Sequence, residues 1–444
     1  MSSRHSHAAV AASAAAAILI ASSRAFAQNE AAPAAPGAAA PTAAPTAAPG
    51  AAAPAPAPAA PAPAPTPPEP KWYDRFDLSA FVDGYVSVNF GFPHPETPGP
   101  SGGGNSFRAY DVSNGFALHW IGLDLSYSAD PVGGTLSLRF GPSATIYAGA
   151  DDAHGLGNVK QAYLTLRPGG DDGAFSLDFG KFDTPYGAEV ADSQLNLNYT
   201  RGVLYWYAQP LFHTGFRGTL KIADELTVRA ILVNGWNDTI DNNAGKTGGV
   251  HAMISPAKEL TFYVGYLFGP EQPDATTLTC EAGTRIEGGA CVPDPEGIGG
   301  IATIEDGGAN ARFKHLVDAV VDINPTSFLR VLVNGDFGAE KMPASGHVIW
   351  YGASVAARVA PIDILGVGLR GEVYRDEDGY TTGLGQATNL YTGTLTVDMS
   401  PVKYFTTMLD VRVDGASRSI FQKGIDETSA FQVTTTLGAI VKTE

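Results

Sequence analysis

Cysteine is nearly absent from the 444-residue sequence: Cys280 and Cys291, both in one Gly-rich acidic segment, are the only two. That excludes a cysteine-rich scaffold. With no clustered histidine nearby there is no ligand set for structural zinc, and one small-loop disulfide formed in an oxidising compartment is the economical reading. Basic residues are also scarce. The 28 Lys and Arg against 45 Asp and Glu leave a formal charge of -17, which excludes nucleic acid as a partner. Signatures of catalysis are missing as well: no G-x-S-x-G, no H-E-x-x-H and no Cys-His pairing occur. GVGLRG at 366–371 fits G-x-G-x-x-G but lies in an alternating stretch with no helix after it. The sequence therefore reads as non-enzymatic, without a cofactor or metal.

What is present begins with two segments unlike the rest. Residues 1–27 run from a basic start (Arg4, His5, His7) through AAVAASAAAAILIA to AFA. This is the order of a secretory signal peptide cleaved before Gln28, and the apolar run is too short for a membrane-spanning helix. Residues 28–70 are dominated by Ala-Pro repeats, with little to bury, and are expected to be an extended periplasmic spacer. Peptidoglycan is the partner such a tether would meet. The folded part is expected to be 71–444.

From residue 78 onward, apolar residues alternate with polar or small ones in blocks of roughly ten. In LSAFVDGYVSVNF, Ala80, Val82, Val86 and Val88 share one face while Asp83, Tyr85, Ser87 and Asn89 share the other. In TTMLDVRVDG, Leu409, Val411 and Val413 alternate with Asp410, Arg412 and Asp414. About sixteen such blocks can be counted, including one placed at 134–146. Short connections such as RPGGDDG, IADE, NPTS and SPVK alternate with long ones near 93–113, 147–157, 183–211 and 270–311. Strict short-long alternation predicts an all-β fold: a closed antiparallel up-and-down transmembrane β-barrel with one tight rim and one elaborate rim. A soluble sandwich could not house the charges opposite the apolar face. In a membrane barrel Arg139, Arg217, Arg330, Arg370, Glu372 and Arg412 face a wet lumen while the aliphatic side chains meet outer-membrane lipid. The closing residues GAIVKTE carry no terminal aromatic, a departure from the usual outer-membrane barrel.

The connection after the fifth strand, 183–211, includes the aromatic stretch NYTRGVLYWYAQPLFHTG. It is too long for a tight turn and too apolar to project into water, so it is expected to fold inward and narrow the lumen. That loop would bring Glu189, Asp192, Arg201, Tyr205 and Trp206 to a pore constriction, opposite Arg217, Arg229, Arg330, Arg370 and Arg412 of the wall. For each charged residue the alternative is a solvated lumen position or a local ion pair.

SAFVDGYVSVNFGF at 79–92, GKFDTPYGAEVADSQLNLNYTRGVLYWYAQPLFHTGFRG at 180–218 and LVNGWND at 232–238 resemble the OmpL-like outer-membrane β-barrel porins. The resemblance implies a bacterial outer-membrane pore for small hydrophilic solutes or ions, with the inserted loop after strand five, and it favours a homotrimer over a monomer. Two alternatives stand beside it. One is a plugged structural or adhesive barrel tethered to the cell wall. The other is a barrel-embedded hydrolase dependent on a histidine such as His213.

Overall fold

The computed structural model describes residues 71–443 apart from 95–103, 129, 171, 283, 288–289, 295, 297 and 344–345. The expected signal peptide and spacer lie outside the described residues. Sixteen antiparallel strands close into one barrel. They are β1 (Phe76–Asn89), β2 (Gly115–Tyr127), β3 (Val132–Phe140), β4 (Val159–Leu166), β5 (Phe175–Asp183), β6 (Phe212–Ala223), β7 (Leu226–Val233) and β8 (Thr247–Ala257). The second half comprises β9 (Leu260–Pro270), β10 (Phe313–Thr326), β11 (Leu329–Met342), β12 (Gly346–Ile362), β13 (Leu365–Asp376), β14 (Thr388–Val402), β15 (Phe405–Ala416) and β16 (Phe431–Lys442). Each strand pairs with its sequence neighbours within the barrel, and β1 closes the ring on β16, from Phe81 opposite Lys442 to Asn89 opposite Thr434. Closure leaves no unpaired edge, which is the condition for β-structure in hydrocarbon.

The alternation in the sequence is the alternation of the wall. On β15, Leu409, Val411 and Val413 are exposed on the outer face while Asp410, Arg412 and Asp414 are buried on the inner one. Inside-out polarity of this kind is stable only where the outside is apolar. Exposed aromatics mark both rims: Trp72, Tyr73, Phe76, Phe175, Phe328 and Tyr404 at the tight-turn side, and Phe90, Phe116, Phe140, Phe268, Phe313 and Phe431 at the long-loop side. No helix among the described residues is long and apolar enough to cross a membrane.

The block expected at 134–146 is shorter as a strand. β3 stops at Phe140, and Pro142–Ala148 forms a short helix, α1, with Gly141 as its N-cap and Pro142 in its first turn. Proline there fixes a helical φ and gives up an N–H that would have had no partner. The helix buries Ala144, Tyr147 and Ala148, and the Tyr147 hydroxyl donates to Asp183 Oδ1 at 2.8 Å. A second short helix, α2 (Val203–Tyr207), lies in the connection after β5. Between β9 and β10 two small two-stranded sheets form an outer arm, Ala275–Cys280 with Gly300–Glu305 and, nested between them, the hairpin of Thr284–Glu287 with Ala290–Pro293. Cys280 and Cys291 are joined by a disulfide.

Candidate functional site: the loop after the fifth strand and the lumen wall

Residues 184–211 are tied to inner-face side chains on many strands. Asp192 receives Arg139 of β3 through two bonds of 2.9 Å, Nε to Oδ1 and Nη2 to Oδ2, and lies 3.3 Å from Lys160 of β4. Burial alone would raise the Asp192 carboxyl, but Lys160 and Arg139 hold it well below the usual range. Asp83 of β1 accepts from Ser193 Oγ at 2.7 Å and from the Tyr199 hydroxyl at 2.8 Å. Asp410 of β15 accepts from the Thr200 backbone N–H and hydroxyl, both at 2.8 Å, and from Thr396 Oγ1 at 2.6 Å. Glu372 of β13 accepts from Val203 N at 3.2 Å, placing a carboxylate at the start of α2, the end that favours negative charge. The close approach of the loop to β16 needs a glycine: a Cβ on Gly438 would lie 2.1 Å from the Tyr199 ring.

Apolar contacts continue the ring of anchors. Leu197 packs with Val320 of β10 and with Leu332 and Ala356 of β11 and β12. Tyr186 clusters with Phe182, Ile231, Leu267 and Leu316. The connection after β1 adds a second inserted piece: Arg108 donates to Asp414 Oδ2 at 2.8 Å and to Thr434 Oγ1 at 2.6 Å. Tyr110 meets the Tyr205 hydroxyl at 2.6 Å. On the tight-turn side of loop residues 194–197, a cavity of about 790 Å³ opens between the loop and the turn residues 324–328.

Residues 75–442 match the family described as "Putative beta-barrel porin-2, OmpL-like". The chain belongs to this family. This porin is similar in fold to the loop L8 deletion mutant of OmpT, an outer membrane protein of Vibrio cholerae (TM-score 0.52, 12% identity, 83% of this chain and 99% of that one). It is also similar to Pseudomonas putida OprB (TM-score 0.50, 13% identity, 83% and 94%) and to the trimer form of in-vitro folded Vibrio cholerae OmpT (TM-score 0.50, 12% identity, 83% and 99%). At these identities the likeness shows the fold alone. No functionally curated protein matches by sequence.

The porin brings some of the residues flagged in its sequence into direct contact. Glu189 is ion-paired with Arg370 and accepts from Gly202 N at 2.6 Å. Arg370 also donates to the Thr200 carbonyl at 2.6 Å, and Arg412 to the Arg201 carbonyl at 2.6 Å. Arg201 Nη2 donates to His119 Nε2 at 2.6 Å; since guanidinium has only donors, that ring nitrogen carries no proton. Trp206 stands edge-on to Tyr110, with ring centroids 6.0 Å apart. Arg139, Arg370, Glu372 and Arg412 are thus inward but roofed by the loop, all 5% exposed or less, where the alternation alone placed them in open water.

Arg217, Arg229 and Arg330 of the porin stand away from these contacts. Their partners are Asp178 at 2.9 Å, His251 at 3.4 Å and Asp322 at 2.9 Å. His213, the histidine of the hydrolase alternative, meets Thr184 Oγ1 at 3.1 Å and the Gly235 carbonyl at 2.9 Å. Sequence reasoning missed the anchoring roles of Asp83, Arg108, Arg139, Lys160, Glu372 and Asp410. Inward parity was the available signal for the strand residues, and it names a face without naming a partner.

Proposed function

We propose that this outer-membrane porin passes small hydrophilic solutes or ions passively, with residues 184–211 as the constriction of the water column. The observation that carries the reading is the set of carboxylates, Asp83, Glu372 and Asp410, by which the inner wall holds that loop across the lumen. Glu189, Asp192 and Arg201 on the loop, with Arg370 and Arg412 on the wall, are paired beneath the loop surface, so they would act on polar solutes through the mixed-sign field they set up and not by direct contact. The apolar outer face suits outer-membrane lipid, and the trimer form of Vibrio cholerae OmpT supports a homotrimer. Residues 28–70, freed of a cleaved signal peptide, would act as a tether that meets peptidoglycan.

A second reading, a plugged structural or adhesive barrel, is favoured by how little water reaches the loop. Ser193, Asp83 and Asp410 are completely buried. Planar-bilayer recording of the folded full chain separates the two. A channel gives discrete steps that grow when residues 198–211 are shortened. Folded protein that gives no steps, before or after shortening, would establish the plugged reading.

A further inference from the structure

Near the tight-turn rim the wall carries two arginines that the loop does not cover. Arg330 of β11 and Arg358 of β12 are register partners, both pointing inward, so their Cβ atoms are about 5 Å apart. Like charges at that spacing repel, and each is offset by a carboxylate on its far side. Asp322 of β10 accepts from Arg330 Nε at 3.1 Å and Nη2 at 2.9 Å. Asp398 of β14 accepts from Arg358 Nε at 2.8 Å and Nη2 at 2.6 Å. To reach Asp398 the Arg358 guanidinium crosses β13 over Gly366, where a Cβ would lie 2.4 Å from Arg358 Nη2 and 2.3 Å from Asp398 Oδ2.

Both carboxylates grip the same edge, so both arginines keep the same edge free. Neither Nη1 has a protein acceptor among the described residues, and both side chains line the 790 Å³ cavity, 42% and 31% exposed. Two guanidiniums held rigid from behind, with free N–H groups turned to water, match the planar spread of an oxyanion. Lys442 on the same cavity adds positive charge, whereas Lys258 there is offset by Glu259, 3.4 Å away.

We propose that Arg330 and Arg358 form a binding site for a small solute bearing a carboxylate or phosphate group, entered from the tight-turn side. The inference rests on the channel reading for the route such a solute takes. Binding itself does not need conduction, so calorimetry on the folded, detergent-solubilised full chain at low salt tests it separately, with succinate and with inorganic phosphate as probes. Saturable millimolar binding of at least one is expected. It weakens at least tenfold in R330Q/R358Q, and equally when D322N and D398N are added to spare the fold a bare carboxylate. Lysines at both positions weaken it several-fold, because charge without the fork is not enough. R217Q, on another part of the wall, leaves it unchanged. Absent binding to both probes in folded wild type, unchanged affinity in R330Q/R358Q, or equal loss in R217Q would overturn the site. A barrel that conducts but binds neither probe would overturn this inference and leave the channel standing; one that binds but does not conduct would do the reverse.

Discussion

Six of the lumen-facing arginines fall into two groups that the strand pattern does not distinguish. Arg139, Arg370 and Arg412 are buried, and each reaches the inserted loop, at Asp192, at Glu189 with the Thr200 carbonyl, and at the Arg201 carbonyl. Arg217, Arg330 and Arg358 stay 17%, 42% and 31% exposed and are held by wall carboxylates. Parity in a strand sets which way a side chain points; what covers it decides its energetics. A covered ion pair whose one partner is removed leaves an uncompensated charge and costs about 3–5 kcal/mol, whereas a wet pair is worth about 0–1 kcal/mol.

The largest expected effect follows directly. R370Q strands Glu189 and Glu372, and unfolding of the purified barrel in urea is expected to show a loss of about 3 kcal/mol, against under about 1 kcal/mol for R330Q, whose side chain is 42% exposed. Equal losses would erase the distinction between the two groups. A smaller effect comes from the loop's side of the same contact surface. G438V puts a side chain where the Tyr199 ring lies, and overpacking of this kind costs about 1–3 kcal/mol. Hydrogen exchange is expected to speed up in the amides of residues 196–202 and to stay unchanged in β6–β8. Uniform acceleration around the barrel would mean that the loop is not a separate layer.

The most local effect concerns carboxyls in the outer loops that no guanidinium holds. Burial pushes Glu271 up to about 7, and burial together with Asp151 and Asp241 pushes Asp238 up to about 6. Folded chains hold these protons more tightly than unfolded ones. Their contribution to stability is therefore complete below the ordinary carboxylate range and is lost as pH rises through about 6 and 7. Between pH 5 and 8 the loop of residues 234–246 is expected to lose local stability in wild type and to lose less in E271Q, read by hydrogen exchange corrected for intrinsic pH effects. An E271Q profile as steep as wild type would remove Glu271 from the account.

Much of the barrel was legible because a strand records its two environments residue by residue. The blocks around Val82 and Val411 carry enough alternation to fix face, count and rim. The helix Pro142–Ala148 was not legible: GPSATIYAGA continues the apolar spacing of β3, and only Pro142 after a glycine hints at a helix start. The candidate site was half legible. Inwardness of Arg370 and Arg412 follows from parity, and the aromatic stretch around Tyr205 marks a segment that has to bury itself. The pairing of Tyr199 with Asp83 and of Thr200 with Asp410 bridges 116 and 210 positions of chain, and no local pattern encodes contacts at such range.

The disulfide sits wholly in the arm between β9 and β10, and the chain has no other sulfhydryl-forming residue. Mild reduction therefore yields two thiols on an appendage while the cylinder keeps every cross-strand bond. A fluorophore or spin label attached there reports on the outer arm alone, and a thiol engineered elsewhere can be addressed selectively once this native pair has been left oxidised.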